Sequence, residues 1–115
     1  MANYPYLLDE FLYYFETPYQ NTDENFPGCE IDRPSGANPD GYMYIVNHML
    51  QIEFLGIYFP DRLSADDTNA ATGDGSIGAQ VDLCDGIYGR KPQVVLLDFV
   101  SHGEVMEAED TINAL

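Results

Sequence analysis

The run Val94-Val95-Leu96-Leu97-Asp98-Phe99 constrains this chain more than any other feature. Continuous apolar residues with no inside–outside alternation describe a strand buried on both faces, the pattern of a parallel sheet covered by helices. A second run, Tyr42-Met43-Tyr44-Ile45-Val46-Asn47, has the same character and predicts a second strand. Helical spacing appears between and around them. Ser76 caps a predicted helix that runs to Tyr88, with Ile77, Val81, Cys84 and Ile87 on one face and Gly89 closing it. Near the N-terminus, Asn3 and Pro5 open a predicted helix carrying Leu7, Leu8, Phe11, Leu12, Tyr14 and Phe15. Val105 to Leu115 reads as a final helix. Helices alternating with strands place the chain in the α/β class with a largely parallel sheet.

Other segments are less regular. Between positions 18 and 41, Pro18, Pro27, Pro34 and Pro39 together with Gly28, Gly36 and Gly41 rule out regular structure. A loop of that length in a small domain is functional or covalently held, and Cys29 lies inside it. Met49 to Phe59 fits either a second strand or a short helix, stopped by Pro60-Asp61. Ser64 to Asn69 reads as a short helical turn and Thr72 to Gly75 as a turn. At 115 residues the chain reads as one domain, residues 1–115, able to bury roughly two-thirds of its unfolded surface.

Charge narrows the partners. Four basic residues oppose 20 acidic ones, for a net charge of −16. Such a field repels nucleic acid, nucleotide phosphates and anionic membrane surfaces, which leaves neutral or cationic partners, neutral sugars among them. Cys29 and Cys84 are the only cysteines, too few for a zinc site; they are either free and buried or paired across a long loop. An acidic, Tyr-rich, Lys-poor composition suits an extracellular protein and so favours pairing. No apolar run reaches membrane-spanning length, and no signal peptide or Asn-x-Ser/Thr sequon is present. Met1-Ala2 accordingly reads as a start placed on a mature, secreted chain.

Four constellations could carry chemistry. Gly73-Asp74-Gly75-Ser76-Ile77-Gly78 spells GxGxxG, with Asp98 twenty residues beyond its last glycine. The glycines follow a polar stretch rather than a strand, and Asp74 would face a pyrophosphate. A tight turn and close helix packing explain them better than a dinucleotide. Asp66, Asp67, Asn69 and Asp74 offer oxygens to calcium but lack the EF-hand order, so no metal or cofactor is expected. His48 and Asp98 end the two strong strands, where α/β sites are built, and could perform general acid–base work; no Ser or Cys nucleophile stands in a recognisable frame. Tyr58 with Asp61, and Asn69 beside Asp66 and Asp67, pair an aromatic face with hydroxyl acceptors, as a sugar site requires.

The segments PYLLDEFLYYFETPY, FPGC around Cys29, GYMYIVNHML, TNAATGDGSIGAQVDLC and YGRKPQVVLLDF resemble the C-terminal part of fungal phospholipase-C-like phosphodiesterases. Those are secreted TIM-barrel proteins related to the phosphatidylinositol-specific enzymes. The resemblance covers nearly the whole chain and implies secretion, fungal origin and a Cys29–Cys84 bond. The part of the barrel carrying the early catalytic histidine has no counterpart here, and 115 residues cannot close eight βα units. A partial barrel must cover its sheet with helices on both faces or with a second copy. The outcome would be similar to small mushroom lectins with an α/β/α sandwich.

The sequence therefore predicts a three-layer α/β/α domain, homodimeric and secreted, that binds a neutral glycan or glycoprotein through Tyr58, Asp61 and Asn69 without catalysis. The alternatives are a phosphodiesterase remnant using His48 and Asp98, and a structural or defence protein of the fungal wall.

Overall fold

The computed structural model describes residues 8–114. In chain order the elements are α1 (Glu10–Tyr13), β1 (Tyr14–Glu16), β2 (Met43–His48), β3 (Gln51–Phe54), β4 (Ile57–Pro60), α2 (Ala65–Thr68), α3 (Ile77–Tyr88), β5 (Val94–Leu97) and α4 (Val105–Ile112). Strands β1, β2 and β5 form a parallel sheet with β2 in the centre, and β3 and β4 form a separate antiparallel hairpin.

Both apolar runs are strands, and their register sets the layers. Phe15 lies opposite Tyr44, and Val46 opposite Val95. By strand alternation these side chains share one face with His48 and Leu97. That face takes the helices. Phe15 stacks on Tyr44 at 5.1 Å between ring centroids, and Tyr88 of α3 tilts against both. Cys29, Cys84 and Val46 complete this cluster. Ile77, Val81 and Ala108 join Val95, Leu97, Val105 and Ile112 in a second one, so α3 and α4 lie side by side over β5. The caps of α3 are those read from the sequence: the Ser76 hydroxyl accepts the Ala79 N–H, and Gly89 is left-handed at φ 72°.

Several expectations need correction. The predicted N-terminal helix is cut to one turn, capped by Asp9, and Tyr14 to Glu16 are a strand instead. Parallel pairing with β2 and full burial of Phe15 outweigh the helical spacing of the aromatic residues. Its proposed opening at Asn3 and Pro5 lies outside the described residues. The ambiguous 49–59 stretch is a hairpin turning at Leu55 and Gly56, both at positive φ, the two-residue turn whose twist suits paired strands. Of the three expected layers, the described residues supply the sheet and one helical layer. Among the described residues α3 and α4 pack on one face of the sheet, and Met43 and Leu96 on the other remain 39% and 44% exposed.

The 18–41 loop is irregular, as expected, and it is held at several points. Cys29 and Cys84 form a disulfide, with Cα atoms 5.6 Å apart, between the loop and α3. Arg33 pairs with Glu16 across the outer edge of β1, where Asp32 N–H and Glu16 N–H both find backbone partners. Arg90 donates to the carbonyls of Pro39 and Tyr42 at 2.7 and 2.6 Å. Phe26 is buried and stacks on the His48 ring at 4.0 Å.

Candidate functional site

Parallel sheets build their sites where strands end and loops begin. At the carboxyl ends of β1, β2 and β5 stand Glu16-Thr17, Asn47-His48 and Leu97-Asp98. Each is fixed differently, and the differences decide what each can do.

His48 points into the helix layer. It is fully buried, with Nε2 2.7 Å from the Thr68 carbonyl and Nδ1 2.5 Å from the Gln80 side-chain amide. Burial disfavours the imidazolium and lowers its pKa, partly offset by the bonds to Gln80 and Thr68. With both ring nitrogens engaged and Phe26 on its face, the ring locks α2, α3 and β2 together. The residue expected to do acid–base work thus has both ring nitrogens occupied in this arrangement.

Asn47 faces the other side of the sheet, yet it too is occupied. Its N–H donates to the Thr17 hydroxyl at 2.9 Å and its side-chain amide to the Thr17 carbonyl at 2.7 Å. Two strand ends are thereby bolted together. Glu16, on the same face as Ile45, is buried and paired with the Arg33 guanidinium, which lies 5.3 and 4.9 Å from the Phe11 and Tyr19 ring centroids. Hydrogen bonding to Glu16 raises the Arg33 pKa above its already high ordinary value.

Asp98 is the exception. It is half-buried, and neither an ion pair nor a side-chain hydrogen bond occupies its carboxylate among the described residues. The backbone beneath it is held firmly. Asn69, 1% exposed, donates its side-chain amide to the carbonyls of Asp98, Phe99 and His102 at 2.9, 3.1 and 3.3 Å, and its own carbonyl accepts the Glu104 N–H. Asp66 accepts from the Gly103 N–H at 3.1 Å and meets the His102 ring at 3.2 Å. A Cβ at Gly103 would come within 2.8 Å of Asn69. Phe99 is left-handed at φ 53°, so the chain turns sharply just past Asp98 while α2 grips the turn.

The residues expected to hold a sugar are not assembled into one site. Asn69 is a buried brace, not a surface acceptor. Asp61 accepts the Ser64 N–H through its own carboxylate, and Tyr58 sits 37% exposed on the hairpin. The GxGxxG glycines do what a tight turn requires: a Cβ at Gly75 or Gly78 would meet the carbonyl of Glu24 or Ala71 at 2.0 or 2.2 Å. Among the described residues no group of three His, Cys, Asp or Glu is placed to hold a metal ion. Sequence reasoning missed Thr17, Gln80 and the Glu16–Arg33 pair. No motif marks them.

A parallel sheet with helices packed on one face, polar strand ends and a half-buried carboxylate make this an α/β domain. The comparisons with known proteins name the family. A family model for the PI-PLC X domain matches residues 1–113, and the chain belongs to that family. It is 64% identical over 112 residues to a PI-PLC X domain-containing protein 1 of Arthroderma benhamiae, covering 97% of this chain and 37% of that protein. An uncharacterized secreted protein of the same fungus is 41% identical over 108 residues, covering 88% of this chain and 24% of its own length. The chain thus spans about a third or less of these relatives. No solved structure matches.

Proposed function

We propose that this chain is the Asp98-bearing portion of a secreted phosphodiesterase of the phospholipase C type, acting on a phosphodiester such as a lipid headgroup. The observation that carries the reading is the placement of Asp98. A carboxylate without an ion pair or hydrogen bond among the described residues stands at the carboxyl end of a parallel strand, on a turn braced from α2, in a chain of the PI-PLC X family.

Cleaving a phosphodiester needs a proton removed from the attacking hydroxyl and one delivered to the leaving oxygen. A carboxylate suits the proton side of that chemistry, either as base or as the group that orients one. His48 is enclosed and the His102 ring meets Asp66, which favours an acid–base partner other than these two histidines. A net charge of −16 also opposes a phosphate diester. Both points support a reading in which the acid–base partner and the phosphate-binding cations come from the length that the relatives have beyond this match. The disulfide and the secreted relative support action outside the cell, because such bonds persist in oxidising compartments.

The test replaces the matching segment of the 64% identical relative with this chain and assays phosphatidylinositol hydrolysis. We expect turnover by the chimera, none by the 115-residue chain alone, and a loss of roughly 10²–10⁴-fold in Asp98→Asn. Full turnover in Asp98→Asn would sink the assignment.

A further inference from the structure

Three Asp-Gly pairs occur in the chain: Asp40-Gly41, Asp74-Gly75 and Asp85-Gly86. In each, the glycine nitrogen can close a five-membered ring on the aspartate side-chain carbon, and glycine puts no Cβ in the way of that approach. Whether the two atoms meet depends on how firmly the fold holds the backbone between them, and here the three pairs differ.

Asp85 and Gly86 lie inside α3, where helical hydrogen bonds fix both residues. Gly75 is buried at φ 73°, packed against the Glu24 carbonyl. Asp40-Gly41 is under neither restraint. Both residues are exposed, and a Cβ on Gly41 would meet nothing within 4 Å. Among the described residues neither the Gly41 N–H nor the Asp40 carboxylate has a hydrogen-bond partner, and no ion pair holds the carboxylate. The bond that closes the turn, from the Tyr42 N–H to the Pro39 carbonyl, is long at 3.4 Å.

We infer that Asp40 is a self-modification site, where the chain rearranges to isoaspartate without an enzyme or a partner. The Gly41 nitrogen gives up its proton and attacks Asp40 Cγ. The N–Cγ bond forms and a carboxyl oxygen leaves as water, which closes a succinimide. Water then opens the ring. Breaking the bond to Cγ restores aspartate; breaking the bond to the main-chain carbonyl carbon leaves the chain running through Cβ and Cγ, with the α-carboxylate as the side group. One water leaves and one enters, so mass and charge are unchanged. The step is intramolecular, with both reacting groups supplied by neighbouring residues.

Arg90 would register the change. Its Nη2 donates to the Pro39 and Tyr42 carbonyls at 2.7 and 2.6 Å, and so spans this turn just before β2. An extra backbone carbon lengthens the path between the two carbonyls by roughly 1.5 Å, more than a hydrogen bond tolerates, so Arg90 loses one of them. None of this depends on the phosphodiesterase reading.

The experiment ages the 115-residue protein at neutral pH and physiological temperature, with a parallel sample in urea. Isoaspartate is mapped by peptide fragmentation and by methyl transfer from S-adenosylmethionine with an isoaspartyl methyltransferase. In urea the three pairs should react at similar rates. In the folded protein Asp40 should lead Asp74 and Asp85 by about ten-fold or more, because local opening must precede reaction at those two. Asp40→Glu would need a six-membered ring, and should remove the folded-state signal while keeping the charge. Hydrogen exchange at the Tyr42 and Met43 amides should quicken in the aged wild-type chain and not in aged Asp40→Glu. No isoaspartate at Asp40, as much at Asp74 or Asp85, or equal ratios in folded and urea-held protein would each overturn the inference. Unchanged exchange in chains that carry isoaspartate at Asp40 would overturn the loss of the Arg90 contact.

Discussion

An imidazole sealed between Gln80, Thr68 and Phe26 makes His48 a residue whose protonation works against folding. Its folded-state pKa is lowered by burial, whereas in the unfolded chain it titrates near the ordinary 6.5. Below that value the unfolded chain takes up a proton that the folded one refuses. This contribution to stability is therefore full above pH 6.5 and is lost as pH falls toward the depressed folded pKa. The slope is at most about 1.4 kcal/mol per pH unit. Urea unfolding between pH 7.5 and 5 should show this loss in the wild-type chain (roughly that size per unit once titration is complete) and not in His48→Gln, which keeps an amide in the same space. Parallel slopes would mean that the ring is not sealed. Why His48 looked like a site residue is instructive. Tyr44 through His48 are all buried, so the run lacks the alternation that would tell one face from the other. Sequence located the strand end; only packing decided which side its side chains took. Asn69 shows the same limit, since an Asn in a polar stretch reads as exposed until the carbonyls it braces are known.

At the scale of elements, legibility followed local chemistry. The ends of α3 were readable because Ser76 and Gly89 act within one turn of themselves, and the glycines before it because their crowding is short-range. Ser76→Ala removes the acceptor for the Ala79 N–H inside a buried helix start, and should cost about 1 kcal/mol in thermal or urea unfolding. An unchanged midpoint would show that the cap is dispensable. The first helix was misread for the opposite reason. Tyr14 and Phe15 satisfy a helical period, and their strand conformation depends on β2, almost thirty residues away. The hairpin stayed ambiguous because its apolar face has nothing over it among the described residues to fix the period. The carboxylate of Asp98 was legible as a strand-end group, whereas the brace that holds its turn was not.

For the molecule as a whole, the disulfide does the work that regular structure does elsewhere. It ties the 18–41 loop to α3 across a sequence separation of 55 residues, and in the chain-entropy model such a closure is worth about 4 kcal/mol. Replacing both cysteines by Ala should lower the unfolding free energy by roughly that amount, and should expose the loop to limited proteolysis before the helices. Cleavage first in α3 or α4 would mean that the loop is anchored mainly by Arg33 and Arg90. The class of the fold and its parallel sheet were legible, as was the pairing of the cysteines. The second helical layer was not, because it was inferred from the need to cover a sheet rather than from any segment able to cover it.

The chain itself stoppers the outer edge of β1 with Asp32 and Arg33, whereas the outer edge of β5 has no backbone partner among the described residues. A strand-shaped surface open on two sides can be extended without end, as fibres are; one open on a single side has a valence of one. Two copies joined β5 to β5 across a two-fold axis would use up both open sides at once. Any pairing through β5 would therefore stop at two copies, because the bridge at Arg33 leaves β1 no matching open edge.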